Sequence, residues 1–275
     1  MFDARLTEDA PSGGHRSPAR DASTPPKKPV VVVLHQPHST PGHIGRWLRE
    51  QGYPLDIRKP RYGDPLPETL EAHAGAVIFG GPMSANDRDD FILAETRWID
   101  VALKEQRPFL GVCLGAQMLA RHLGARVGFH HDDHVEIGYL PIRATDEGRR
   151  VCAWPERFYQ WHREGFELPS GGVLLAEGGP GAAFENQAFR YGPAAVGLQF
   201  HAEITFAQVH RWTGMSRHRL VLKGARPRHE HIHGHFHHAP HVHAWLDAFL
   251  SRWLEGRLDQ AEPASSASAG VPEPR

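Results

Sequence analysis

The sequence predicts an α/β fold built on an open, doubly wound, mostly parallel sheet, to which the second half of the chain adds antiparallel strands. Residues 30–34 form a β-branched run, which is typical of a strand buried on both faces of a parallel sheet. Strands and helices then alternate as far as residue 120, and this alternation favours parallel pairing with right-handed crossovers. Beyond that point, short strand-like runs follow one another with Gly and Pro turns between them.

The spacing of apolar residues locates the individual elements. In the first half we expect helices over residues 44–51 and 90–105, and strands over residues 54–58 and 76–79. The longer helix has apolar residues three and four positions apart on one face: Phe91, Ala94, Trp98, Val101 and Ala102. The strands expected in the second half span residues 135–143, 173–177, 182–190 and 194–200, and its helices span residues 206–212 and 243–258.

The length and composition suit one large domain with an unstructured segment at each end. The chain has 275 residues, of which 40% are apolar, enough for a sizeable core. Residues 1–29 and 259–275 are rich in small and polar residues and in Pro, without a periodic apolar pattern. We therefore expect a disordered leader over residues 1–29, a domain over residues 30–258 and a disordered tail over residues 259–275.

Charge and cysteine usage limit the possible partners and the compartment. A net charge of −1 gives no reason to expect a nucleic-acid or membrane-surface partner. No apolar run approaches the ~20 residues that span a bilayer, and the N-terminus lacks the apolar core of a secretory signal. The two cysteines fit a reducing compartment better than a disulfide scaffold. These observations predict a cytoplasmic protein.

A cysteine flanked by glycines is the strongest chemical signal in the chain. Within residues 108–120, Gly111, Cys113 and Gly115 form a G-x-C-x-G pattern between an apolar strand and a helix. This pattern matches the strand–turn–helix elbow that lifts a nucleophile above a parallel sheet. The start of a helix carries partial positive charge, which favours the reactive thiolate. Cys113 is therefore a candidate nucleophile, whereas Cys152 has no such context and is expected to be structural.

A base and an orienting group for this thiol lie downstream in the sequence. His201 and Glu203 follow a strand-like apolar run, and residues two apart on an extended strand point to the same side. The carboxylate of Glu203 can then select the tautomer of His201, whose other ring nitrogen faces the thiol.

With these residues the chain resembles a class I glutamine amidotransferase domain over roughly residues 30–205. The resemblance implies a flavodoxin-like sheet and a Cys-His-Glu triad at Cys113, His201 and Glu203. It also implies an oxyanion hole formed by the backbone amides of Gly81, in a Gly-Gly-Pro turn after a strand, and Leu114. By the same resemblance Gln117, Trp161 and His162 are expected to contact the substrate.

The function implied by the resemblance is hydrolysis of the γ-carboxamide of glutamine through a thioester on Cys113, giving glutamate and ammonia. This half-reaction requires no cofactor and no metal. The sequence contains no nucleotide-binding synthetase motif, so the acceptor of ammonia would be a separate synthase subunit. Two alternatives remain open: a γ-glutamyl peptidase or hydrolase with the same triad, and a catalytically weak regulatory or binding domain.

Histidine is unusually frequent, with 21 residues. Many of them lie between residues 229 and 243: His229, His231, His233, His235, His237, His238, His241 and His243. Their spacing matches no closed tetrahedral metal site, and we predict an exposed connecting loop with weak metal binding. Residues 130–134, His-His-Asp-Asp-His, are predicted to form a polar turn before a strand rather than a set of metal ligands.

Overall fold

The structure, a computed structural model, describes residues 26–258. In this range a nine-stranded sheet is accompanied by a separate two-stranded sheet and by helices. The disordered segments predicted at the two ends lie outside the described residues over positions 1–25 and 259–275.

Five parallel strands make up the half of the large sheet that carries the nucleophile. They are β1 (Val30–Val33), β2 (Leu55–Arg58), β3 (Gly75–Ile78), β4 (Phe109–Val112) and β11 (Ala195–Leu198). Their spatial order is β2-β1-β3-β4-β11, with every neighbouring pair parallel. All four residues of β1, β3, β4 and β11 are buried, as the apolar runs predicted. Parallel strands end at the same edge, so the residues after β3, β4 and β11 lie near one another.

The other half of the sheet is antiparallel. It continues from β11 through β10 (Asn186–Tyr191), β9 (Gly172–Gly178), β6 (Glu136–Ala144) and β7 (Arg157–His162). The four second-half strands predicted from the sequence are present close to their expected bounds, and the prediction of added antiparallel strands is confirmed. The sequence analysis did not find β7, nor the two-stranded sheet of β5 (Val127–Phe129) and β8 (Glu164–Phe166).

Helices pack on both faces of the parallel strands and create two apolar cores. On one face lie α1 (Gly42–Glu50) and α6 (Arg228–Leu254), which contact Val30, Val32 and Val77. On the other face lie α2 (Asp90–Lys104) and α3 (Leu114–His122), which contact Val31 and Ala76. The remaining helices are α4 (Asp146–Val151) and α5 (Phe206–Met215).

The predicted loop over residues 229–243 is wrong, because these residues form the first part of the 27-residue helix α6. His231 and His235, one turn apart, face inward and are buried. The hydroxyls of Tyr159 and Tyr139 contact their Nδ1 atoms at 2.9 and 3.0 Å. Tertiary hydrogen bonds therefore allow a polar sequence to fill the buried face of a helix. Although it is long, α6 is too polar to cross a membrane, and no other described helix is long and apolar enough to do so.

Candidate active site

Cys113 lies at a tight turn between β4 and α3, as the elbow pattern predicts. Its backbone has φ 53° and ψ −104°, a conformation that non-glycine residues rarely adopt. A Cβ atom on Gly111 would lie 2.4 Å from the carbonyl oxygen of Gly115, and one on Gly115 would lie 2.1 Å from that of Ile78. The two glycines thus permit helix and strand to approach closely enough for the turn to form.

His201 follows β11 at the same edge of the sheet. The pairing of β11 with β4 sets Leu198 beside Val112, and the backbone amide of Cys113 donates to the carbonyl of Leu198 at 2.7 Å. The Nδ1 atom of His201 lies 2.7 Å from Oε1 of Glu203, and both side chains are only 4% exposed. The imidazole also forms a hydrogen bond with the Cys113 side chain.

Gly80 provides the space in which thiol and imidazole meet. A Cβ atom at this position would lie 2.9 Å from Cε1 of His201 and 3.3 Å from Cβ of Cys113. The first distance is shorter than any ordinary contact, so a side chain here would displace the histidine.

The electrostatics of the site favour a protonated histidine. Burial by itself lowers the pKa of His201, but the Glu203 carboxylate and the neighbouring Cys113 outweigh it and raise the pKa to about 10. At neutral pH the imidazole is therefore protonated. It holds a proton donor beside the sulfur of Cys113.

A buried histidine–glutamate pair supports the Gly80–Gly81 turn, and the sequence analysis did not find it. Nδ1 of His35 donates to the carbonyl of Gly80 at 3.2 Å, while Nε2 lies 2.7 Å from Oε2 of Glu95. Both side chains are completely buried. His35 lies two residues after the end of β1, and Glu95 lies on α2, 60 positions away. No local pattern could therefore have connected them.

A cavity of about 410 Å³ opens at Cys113 and His201. Gly81 and Trp161 line it, as does Arg219. Burial and the neighbouring Arg163 lower the pKa of Arg219, while the Cys113 thiolate raises it. No described carboxylate forms an ion pair with Arg219. The cavity therefore holds an aromatic wall, a nucleophile and a cation that could bind a carboxylate.

The remaining predicted site residues lie around this cavity. Leu114 adjoins Gly81, since a Cβ atom on Gly81 would lie 3.1 Å from a methyl group of Leu114. Gln117 and His162 do not line the cavity; both are buried, and both contact the carbonyl of Glu164, at 2.8 and 2.9 Å. The structure thus brings Cys113, His201, Glu203, Gly81, Leu114 and Trp161 together, whereas Gln117 and His162 are buried against Glu164 and are not part of the cavity lining.

Comparison with known proteins identifies the family. A family model described as glutamine amidotransferase class-I matches residues 39–211, which contain Cys113, His201 and Glu203. The chain belongs to the class-I glutamine amidotransferase family.

The related proteins differ in the share of their own length that aligns with this chain. This chain is 28% identical over 190 residues to the glutamine amidotransferase-like protein YfeJ of Salmonella typhimurium, and the alignment covers 66% of this chain and 77% of that one. It is 31% identical over 171 residues to a glutamine-hydrolysing GMP synthase of Aeropyrum pernix, covering 61% of this chain but only 31% of the synthase. The chain thus matches about a third of the synthase.

Solved structures confirm the α/β fold of this family. A glutamine amidotransferase from Methylobacillus flagellatus superposes with a TM-score of 0.76 at 26% identity and covers 88% of this chain and 100% of that one. One from Thermotoga maritima superposes with a TM-score of 0.74 at 30% identity, covering 82% of this chain and 97% of that one.

Proposed function

We propose that this amidotransferase hydrolyses the γ-carboxamide of glutamine through a thioester on Cys113. The observation that carries the proposal is the His201 imidazole, hydrogen-bonded to the thiol on one side and to Glu203 on the other. The thiolate attacks the carboxamide carbon, and His201 gives its proton to the departing nitrogen, which leaves as ammonia. His201 then removes a proton from water, which attacks the thioester and releases glutamate. Glu203 stays ionised and orients the imidazole throughout.

The amides of Gly81 and Leu114 form the oxyanion hole in this proposal. Leu114 is the first residue of α3, where backbone amides have no acceptor within the helix. In a trans peptide the carbonyl and the following N–H point in opposite directions. Because His35 binds the carbonyl of Gly80, the amide of Gly81 points away from His35, toward the cavity that Gly81 lines. The His35–Glu95 pair thus positions one of the two donors.

In this proposal, substrate binding involves two side chains that line the cavity and two buried side chains that do not line it. Trp161 offers an apolar face, and Arg219 a cation for the α-carboxylate. Gln117 and His162 both bind the Glu164 carbonyl and hold this segment in place. Because neither residue lines the cavity, their contribution to glutamine binding is indirect in this proposal.

A separate synthase subunit is the proposed acceptor of ammonia. The GMP synthases among the relatives join glutamine hydrolysis to synthesis in chains about three times the matched length, as the covered shares of 31% and 28% show. The resemblance covers only this share of those enzymes, and in this proposal another protein carries out the synthetic step.

Hydrolysis of γ-glutamyl amides is the second candidate, and the size of the cavity favours it. The 410 Å³ volume lies in the range of pockets that hold ligands larger than one amino acid. Arg211 and Arg219 both line it and could bind the additional carboxylate of a γ-glutamyl peptide.

The deciding experiment measures glutamate release from glutamine and from a panel of γ-glutamyl peptides. Cys113→Ala should abolish release from either substrate, whereas Cys152→Ala, which removes the other thiol, should leave it intact. Faster turnover of the peptides would identify a γ-glutamyl hydrolase. Intact-mass analysis should detect the γ-glutamyl adduct on Cys113. The absence of both adduct and glutamate release with every substrate would support the other alternative, a catalytically weak regulatory or binding domain.

A further inference from the structure

A cluster of potential metal ligands lies on the turn between β5 and β6, outside the catalytic cavity. His130, Asp132 and His134 each offer one ligand atom, and these atoms all lie within 4.8 Å of one another. Within residues 26–258 this is the one group of three or more such side chains. The sequence analysis predicted only a polar turn here, and the structure adds that alternate residues of the turn converge.

The shape of the turn explains this convergence. The backbone amide of Asp133 donates to the carbonyl of His130 at 3.0 Å, and Asp133 has a positive φ of 56°. The reversal of the chain brings His134 back toward His130. The ring centroids of the two histidines lie 5.3 Å apart in an edge-on arrangement. Both histidines are half-buried, so their positions are restricted, whereas Asp132 is exposed.

Both ends of the turn are held by backbone contacts. Phe129, before the turn, pairs with Glu164 in the small sheet. Val135, after it, donates its backbone amide to the carbonyl of Lys223 at 2.8 Å. A cavity of about 340 Å³, lined by His134 and Glu136 among others, adjoins the turn. There is room beside the ligands for an ion with its remaining water ligands.

We propose that His130, Asp132 and His134 bind a divalent transition-metal ion of the zinc type. Two imidazole nitrogens and one carboxylate oxygen are ligands suited to Zn²⁺, and three protein ligands leave one position for water. With metal–ligand bonds of 2.0–2.2 Å, tetrahedral ligands lie about 3.4 Å apart. The ligand atoms now lie within 4.8 Å of one another, so each separation has to shorten by at most about 1.4 Å, which small side-chain rotations achieve.

Two existing contacts compete with metal binding. The backbone amide of Asp132 donates to Nδ1 of His130 at 3.2 Å, and coordination through either ring nitrogen breaks this bond. The Asp132 carboxylate also lies 3.3 Å from Nε2 of the exposed His131. Both are weak surface contacts, so the site binds the metal without refolding of the turn. The bound ion joins the small sheet to β6 and stabilises the strand that carries Glu164.

A second group of histidines could compete for metal, and the test must separate the two. His229, His233, His237 and His241 are exposed and lie four residues apart along α6. Neighbouring members of this stripe can bind a metal in pairs, as in helical His-x-x-x-His motifs. A pair of histidines on α6 provides two metal ligands, whereas the turn provides three. We therefore expect the α6 stripe to bind the metal more weakly than the turn.

The test measures Zn²⁺ binding to the full chain by equilibrium dialysis, together with the shift in melting temperature. The variants are His130→Ala/His134→Ala and Asp132→Asn on the turn, His131→Ala as a matched control, and a fourfold His→Gln variant of the α6 stripe. We expect one tight equivalent and a rise in Tm with Zn²⁺ in the wild type, the His131→Ala control and the stripe variant. Both turn variants should lose that equivalent and the rise in Tm.

The proposal is wrong if the tight equivalent survives in the turn variants or disappears in the stripe variant. Glutaminase activity is not a readout, so the outcome is independent of the proposed function.

Discussion

The carboxylate of Glu203 favours the protonated form of His201, the proposed catalytic histidine, and also orients its ring. It lies 2.7 Å from Nδ1 of His201 and is one of the charges that raise the pKa of this histidine to about 10. A raised pKa keeps the imidazolium present through neutral pH and removes it only in alkali.

The pH profile of Glu203→Gln tests this role. In the wild type, kcat/KM should fall on the alkaline side as His201 loses its proton near pH 10. Removing the negative charge lowers the pKa, so the alkaline limb should move to lower pH by about 1–3 units. Glu147→Gln, on α4 and outside the lining of the cavity, should leave the profile unchanged. An unshifted limb in Glu203→Gln would show that the carboxylate does not act electrostatically.

The completely buried Glu95 acts on catalysis through His35 and the Gly80 carbonyl. Glu95→Gln weakens the hold on this peptide, and kcat should fall by about tenfold or more, toward the 10²–10³ of a lost oxyanion donor. KM should change little, because the donor acts on the developing charge. Glu105→Gln, at the end of the same helix, is the control. If Glu95 only supports the fold, its variant would lower Tm while kcat per folded enzyme stayed constant.

At the scale of elements, the turn between β4 and α3 depends on close packing of backbone against backbone. Gly115 on α3 touches the carbonyl of Ile78 on β3, whereas Gly214 on α5 has no neighbour within 4 Å of the position of an added Cβ. Replacing each of these glycines by alanine should therefore change the free energy of unfolding in opposite directions.

Urea denaturation of Gly115→Ala and Gly214→Ala measures this difference. The first should lower the free energy of unfolding by about 3 kcal/mol or more, because strand and helix must separate. The second should raise it by about 0.5–1 kcal/mol, since alanine is the better helix former. Equal effects would contradict the close contact between α3 and β3.

At the scale of the whole molecule, the proposed active site and the contact between α6 and the sheet lie at opposite ends of the parallel strands. Cys113 and His201 follow the carboxyl ends of β4 and β11. At the other end, the Trp253 indole N–H of α6 is shared by the carbonyls of Phe109 and Ala194, each at 3.2 Å. The packing of α6 thus stabilises the strands without touching the substrate.

This separation predicts that Trp253 affects stability and not chemistry. Trp253→Ala should lower the free energy of unfolding by about 3–5 kcal/mol, because the side chain is completely buried. Trp253→Phe should cost less, as it keeps most of the volume and loses the hydrogen bond. At a temperature where both are folded, kcat should equal that of the wild type. A large loss of kcat would mean that α6 transmits strain to the elbow.

Regions that depend on interactions between neighbouring residues were predicted well from the sequence, whereas regions that depend on contacts between residues far apart in the chain were not. The first four parallel strands, the long helix and the elbow appear in short apolar or glycine patterns, and the structure contains them close to the predicted bounds. The loop predicted over residues 229–243 was wrong because no local pattern shows that His231 and His235 meet tyrosines from β7 and β6.

By itself the sequence determined the fold class and the residues of the proposed triad. The apolar runs that indicate buried strands and the glycines that flank Cys113 are patterns among neighbouring residues, so they can be recognised without the folded structure. Only the tertiary structure decided that His35 and Glu95 hold the Gly80 carbonyl and that Arg219 lines the cavity. It alone also showed that Gln117 and His162 contact the carbonyl of Glu164 and do not line the cavity. These relations join residues far apart in the chain, and they exist only once the sheet has brought its strand ends and helices together.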